Sequence, residues 1–155
     1  MSRGPSTLRA VSLQEVLLTV RVWVFVSLLG CLVRLCGVPR LLRLSALRAP
    51  RPPEDEALVV ACVDRVFARH PGISRSPCLK RSLTLYRFLG AAVSDLQFCL
   101  GVRYAEAAPP GRRARRLAGH AWLLRNGLPY LESDHSHVRR FRVIYRYPTG
   151  ERSAA

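Results

Sequence analysis

Residues 77–104 read PCLKRSLTLYRFLGAAVSDLQFCLGVRY, and a change of period inside this stretch decides the fold. Its first half has helical spacing. Leu79, Leu83, Leu85, Tyr86, Phe88 and Leu89 cover most of one cylinder, while Lys80, Thr84 and Arg87, at i, i+4 and i+7, make one polar stripe. A helix from Pro77 to about Gly90, central and largely buried, is expected. Beyond it the period shortens, and Gln97–Tyr104 (QFCLGVRY) reads as a strand.

Downstream, Ala105–Arg116 carries two prolines and four arginines and reads as an exposed loop. Gly119–Arg125 reads as a strand. Asn126-Gly127 then supplies the strongest two-residue hairpin signal, with Leu128–Glu132 returning. Arg140–Tyr147 alternates with period two as a last strand.

Upstream, Pro53-Glu54-Asp55-Glu56 opens a helix running to about Arg69, with acids where the macrodipole favours them. Arg48–Pro53 has three prolines in four residues and reads as a linker. Before it, Leu13 to about Leu35 reads as an apolar helix ended by Gly37-Val38-Pro39, followed by a short basic helix over Arg40–Leu47. Helices first and an antiparallel sheet after them is an α+β pattern. The expected division is a helical extension over 1–50, a domain over 51–147 and a disordered tail over 148–155.

The chain has 155 residues, 49% of them hydrophobic, which is incompatible with wholesale disorder. Its 25 basic residues against 10 acidic ones give +15, and Lys80 is the sole lysine. Such an arginine skew can follow base composition, so charge alone is no nucleic-acid signature. The run Gly111–Arg116 motivates a basic nucleic-acid-binding module as an alternative. No zinc, helix-turn-helix or aromatic-basic motif accompanies it, and no specific nucleic acid is expected.

The uncharged run Val22–Val33 is 12 residues long, short of the ~20 that span a bilayer. A buried amphipathic helix packed on the domain is the favoured reading, with no stable membrane insertion. The five cysteines include no CxxC pair, so neither a metal site nor a cofactor is expected. Their odd number fits free thiols and a cytoplasmic location.

Cys78 stands at the first turn of the central helix, where open amides and the dipole favour a thiolate and can serve an oxyanion. His120 lies on a strand 42 residues on. Glu132 lies 12 residues further, and the hairpin register brings it back near the level of His120. Those three residue types form a nucleophile, a base and an orienting acid. Asp134 competes for the third role. A lone cysteine is more often a small buried hydrophobe, as expected of Cys31, Cys36, Cys62 and Cys99. A lone strand histidine is usually structural, and His135 and His137 are expected at the surface.

The ordered set SPCLKRSL (76–83), GVR (101–103) and HAW (120–122), with Gly127 and a following acid, resembles the lasso-peptide leader peptidases. These are the microcin-processing McjB-type C-terminal family, of papain-like/transglutaminase-like fold. The resemblance covers roughly residues 55–145 and assigns the triad to Cys78, His120 and Glu132, with glutamate where the family usually has aspartate. It implies removal of the leader from a lasso precursor peptide through a thioester acyl-enzyme. A threonine next to last in the leader is a common recognition feature of the family. Capture of the leader falls to a separate leader-recognition protein, since residues 1–50 offer no strand pattern for the family's winged-helix-like module. The ATP-dependent lasso cyclase acts next on the freed amine and is a further expected partner. A transglutaminase-fold acyltransferase using the same cysteine and a catalytically dead scaffold are the other readings.

Overall fold

The structure is a computed structural model that describes residues 12–47, 55–73, 76–90, 93, 95–104 and 117–148. The expected linker at 48–53, the arginine loop at 105–116 and nearly all of the expected tail lie outside the described residues. Three helices precede a sheet: α1 (Leu13–Leu47), α2 (Glu56–Arg69) and α3 (Pro77–Leu89). The strands are β1 (Leu96–Tyr104), β2 (Leu117–Arg125), β3 (Leu128–Tyr130) and β4 (Arg142–Tyr147), with a short α4 (His135–Arg139) before the last. All pairings are antiparallel, in spatial order β3-β2-β1-β4. The α+β class read from the sequence is the class observed.

The break expected at Gly37-Val38-Pro39 is present: α1 is two helical segments that meet at a kink there, the second covering the short helix expected over Arg40–Leu47. Gly37 takes φ 72 and ψ 160, outside helical space, and helical geometry resumes through Leu47. Glycine tolerates that positive φ. In α2, Asp55 caps the first turn by accepting from the Ala57 amide at 3.0 Å. The Asn126-Gly127 turn has positive φ at both residues, 51 and 78, as a two-residue hairpin requires.

One sheet face carries the main core. Phe98, Ala121 and Leu123 meet Leu83, Leu85 and Leu89 of α3 and Val59, Cys62, Val63 and Val66 of α2. Helix α1 belongs to the same core. Its Leu18, Val22, Val26 and Leu29 are each at most 3% exposed, contributing ~1.5–3 kcal/mol apiece. Arg65 pairs with Glu15 at 2.6 Å, and Phe25 meets Phe88 edge-on with ring centroids 5.9 Å apart. The other sheet face is covered by a smaller cluster of Cys99, Trp122, Leu124, Val138 and Phe141.

Helix α1 departs from the amphipathic expectation. One face is buried, yet Leu17, Val20, Trp23, Val24 and Leu28 on its outward side are exposed. By length and composition, Leu13–Ser45 is apolar enough to cross a membrane. Cys31, expected to be a buried hydrophobe, is exposed on this helix, and Cys36 is half-buried. Thr84 leaves the expected polar stripe: it is fully buried, its hydroxyl donating to the Lys80 carbonyl at 2.8 Å. That internal bond satisfies the hydroxyl without water.

Candidate active site

Cys78 is half-buried in the first turn of α3, directly after Pro77 at the helix start. Ser76 sits in the left-handed region (φ 54) and makes no side-chain cap bond. The first-turn dipole thus has no protein oxygen from the cap residue turned against it.

Two hydrogen bonds fasten the next turn of α3 to the remaining segments. The Ser82 hydroxyl donates to the Ala121 carbonyl at 3.0 Å, one residue after His120. Arg81 Nη1 donates to the Leu131 carbonyl at 3.2 Å, one residue before Glu132, while its Nε donates to Asp64 on α2 at 3.0 Å. Arg81 and Ser82 lie about one helical turn (~5.4 Å) beyond Cys78 along α3, so three sequence-distant segments are tied to that turn. The hairpin is also tied to α2: Arg125 pairs with Glu56 at 3.4 Å, and the Tyr130 hydroxyl donates to Glu56. Burial, then that carboxylate, push the Tyr130 phenol up to about 12.

His120 Nε2 lies 3.4 Å from Glu132 Oε2, with both side chains mostly buried. The path to that contact differs from a simple return strand. Strand β3 ends at Tyr130, and Leu131 turns with φ 58, which carries Glu132 over the edge of β2. Asp134 does not reach the imidazole. It caps α4, accepting from the Ser136 amide at 2.9 Å, the Ser136 hydroxyl at 2.6 Å and the His137 amide at 3.1 Å. The Ser136 hydroxyl bond and then the His137 amide hold its carboxyl below the usual range.

The imidazole is framed by rings. It stacks on Trp122 with centroids 5.8 Å apart and planes 16° apart, and meets Phe141 at 5.3 Å and His137 at 5.4 Å. His137, expected at the surface, is half-buried in this cluster; His135 is exposed as expected. The Asp134 cap that starts α4 is what delivers His137, and an Asp followed by a short helical turn is the signal for it. No hydrogen bond joins Cys78 to His120. The imidazole packs on the sheet face of Trp122 and Phe141, whereas Ala121 faces the helices. The structure thus brings His120 and Glu132 together, with the imidazole on the sheet face opposite the one that packs against α3, the helix that carries Cys78.

Gly101 pairs with His120 across β1 and β2. A Cβ there would sit 2.8 and 2.9 Å from the Trp122 ring and 3.0 Å from Phe141 Cβ. Both neighbours are buried, so neither yields cheaply. Gly101→Ala is expected to cost about 1–3 kcal/mol, to displace the ring on which His120 stacks, and to lower both the melting temperature and turnover. A thermal melt with kinetics on the same variant checks it, and an unshifted melt would contradict this packing account.

A cysteine at the start of a buried helix, docked on an antiparallel sheet bearing a histidine–carboxylate pair, defines a fold of the cysteine-peptidase and acyltransferase type. The family model described as "Transglutaminase-like superfamily" matches residues 19–146, and the chain belongs to that superfamily. The match begins inside α1, the helix that shares the main core. No curated protein and no solved structure matches the chain.

Proposed function

We propose that this chain is a cytoplasmic cysteine peptidase that removes the leader from a ribosomally made lasso precursor, acting with a separate leader-recognition protein. The observation that carries the reading is the pair of hydrogen bonds, Ser82 to Ala121 and Arg81 to Leu131, that fasten the turn after Cys78 beside His120 and Glu132. The ordered motifs around Cys78, Gly101 and His120 support the lasso assignment within the superfamily.

In the proposed reaction the Cys78 thiolate attacks the carbonyl carbon of the last leader residue. A carbon–sulfur bond forms, and the Cys78 amide donates to the oxyanion. His120, oriented by Glu132, gives its proton to the amine as the carbon–nitrogen bond breaks. It then takes a proton from water, whose oxygen attacks the thioester carbon and expels Cys78 Sγ. The reading requires His120 and the Cys78 thiol to come within hydrogen-bond reach when substrate binds. The released leader carries a free carboxylate; an amine acceptor in place of water would leave an amide instead.

Mass spectrometry of a lasso precursor incubated with this chain and a leader-binding partner tests the reading. One cut at the leader–core junction, with a free carboxylate on the leader, is expected. An amide-linked product would reassign the chain to acyl transfer, and no cut with any partner would remove the peptidase reading.

A further inference from the structure

Helix α1 presents a surface that the reaction above does not use. At about 100° per residue, Leu13, Leu17, Val20, Val24 and Leu28 fall within ~80° of arc on its outward side. Opposite them, Leu18, Val22, Val26 and Leu29 pack into the main core. The outward Leu17, Val20, Val24 and Leu28 are 46% to 56% exposed, and Leu13 is 76% exposed. Monomeric soluble proteins rarely leave so long an apolar stripe uncovered.

The chain itself has little to cover it with. The segments outside the described residues hold no aromatic residue, and their only large aliphatic ones are Met1, Leu8 and Val11. A second copy would set a charge of +15 against another +15. An anionic bilayer has the opposite sign, and the helix is built to meet it. Arg21 and Arg34, both exposed, stand on either margin of the apolar arc, and Arg40 and Arg43 follow, exposed, beyond the kink. Glu15, the only acid of α1, is half-buried and paired with Arg65 at 2.6 Å, away from that face. Ser27, beside the arc, donates its hydroxyl to the Trp23 carbonyl at 2.9 Å, so it can meet acyl chains without water. Trp23 itself is half-exposed at the margin that bears Arg34, and indoles favour the headgroup boundary.

We propose that the outward face of α1 lies on the surface of an anionic phospholipid bilayer. The helix axis runs in the plane of the membrane, the apolar arc enters the boundary between headgroups and acyl chains, and the flanking arginines meet lipid phosphates. The opposite face stays packed on the domain. A spanning arrangement would strip Leu18, Val22, Val26 and Leu29 from the core and break the Glu15–Arg65 pair. The inference does not rest on the peptidase reading.

The test is flotation of the full chain with phosphatidylcholine vesicles that contain or lack phosphatidylglycerol. The anionic vesicles are expected to bind at least about tenfold more tightly, as a few arginines near the surface can supply. The triple variant Leu17→Gln/Val24→Gln/Leu28→Gln changes exposed positions to a good helix former. It is expected to keep its melting temperature and to lose at least about tenfold in vesicle binding. On anionic vesicles the tryptophan emission is expected to shift to the blue in the parent but not in Trp23→Phe, because Trp122 is buried in either state. Lipids brominated near the headgroup should quench Trp23 more than lipids brominated near the chain end. No binding, or equal binding to neutral vesicles, overturns the proposal. Binding that survives the triple variant also overturns it, since net charge alone would then account for it. Stronger quenching from the chain ends overturns it in favour of a span. A dimer that the triple variant dissociates, without vesicle binding, reassigns the face to a second copy. Retention of the parent but not the triple variant on an immobilised leader-binding partner, again without vesicle binding, reassigns it to protein docking.

Discussion

Cys78→Ala is expected to lower precursor cleavage by at least about 10⁴-fold while leaving the fold intact. Without Sγ no thioester forms, and the His120–Glu132 pair can only activate water against an amide, a far harder leaving group. The substitution is mild for the fold. Cys78 is half-buried in the first turn of α3, and alanine is the strongest helix former, so the melt should move little. Cys31→Ser is the matching control: that thiol is exposed on α1, remote from the hydrogen bonds that tie α3 to β2, and its loss should leave cleavage unchanged. Cys62 and Cys99 are fully buried, and burial pushes the Cys99 thiol up against the smaller pull of Arg146. Neither should react with iodoacetamide in the native chain. Cleavage within tenfold of the parent in Cys78→Ala would remove the nucleophile assignment.

What was legible in the sequence was what local chemistry specifies. The 3.6 period of 77–89, the shorter period of 97–104 and the Asn126-Gly127 turn each determine an element without help from the rest of the chain. Helix α1 was legible as a helix but not as to its faces. Apolar residues lie on both sides of it, so no periodicity marks which side meets the core. Thr84 misleads for a related reason, because a hydroxyl bonded to its own helix carbonyl is free to be buried. The route to Glu132 depends on Leu131 at positive φ, a conformation leucine does not favour. The bond from Arg81 to the Leu131 carbonyl and the packing of Leu131 against the main core hold it there. Counting along an ideal hairpin reached the right level of the sheet, but the strand stops two residues earlier. His137 was missed because a five-residue helix leaves almost no periodic trace.

The two acids after the hairpin separate sharply under substitution. Glu132→Gln is expected to cut turnover by about 10²–10⁴-fold, in the range found when an orienting carboxylate becomes an amide. Glutamine is close in size, so the hydrogen-bond distance of 3.4 Å to His120 Nε2 can persist. What changes is the electrostatics: an amide does not stabilise the imidazolium that forms when His120 takes up a proton, and its NH2 can force the wrong tautomer. The loss should therefore fall on kcat more than on KM, with substrate binding nearly unaltered. Asp134→Asn is expected to leave turnover within a few-fold. Asparagine caps a helix about as well as aspartate, and this carboxylate is committed to the Ser136 and His137 amides. Asp134→Ala removes that cap and is expected to lower the melting temperature slightly. It should loosen α4 and with it His137, which lies against the His120 ring. Acid has the same effect on the parent chain. The Asp134 carboxyl is held below its ordinary value, so its contribution is present above that value and fades as pH falls through the lowered one. A kcat series over Glu132→Gln, Asp134→Asn and Asp134→Ala reads all three effects. If Asp134→Asn costs more than Glu132→Gln, the orienting role passes to Asp134, and the His120–Glu132 contact is structural.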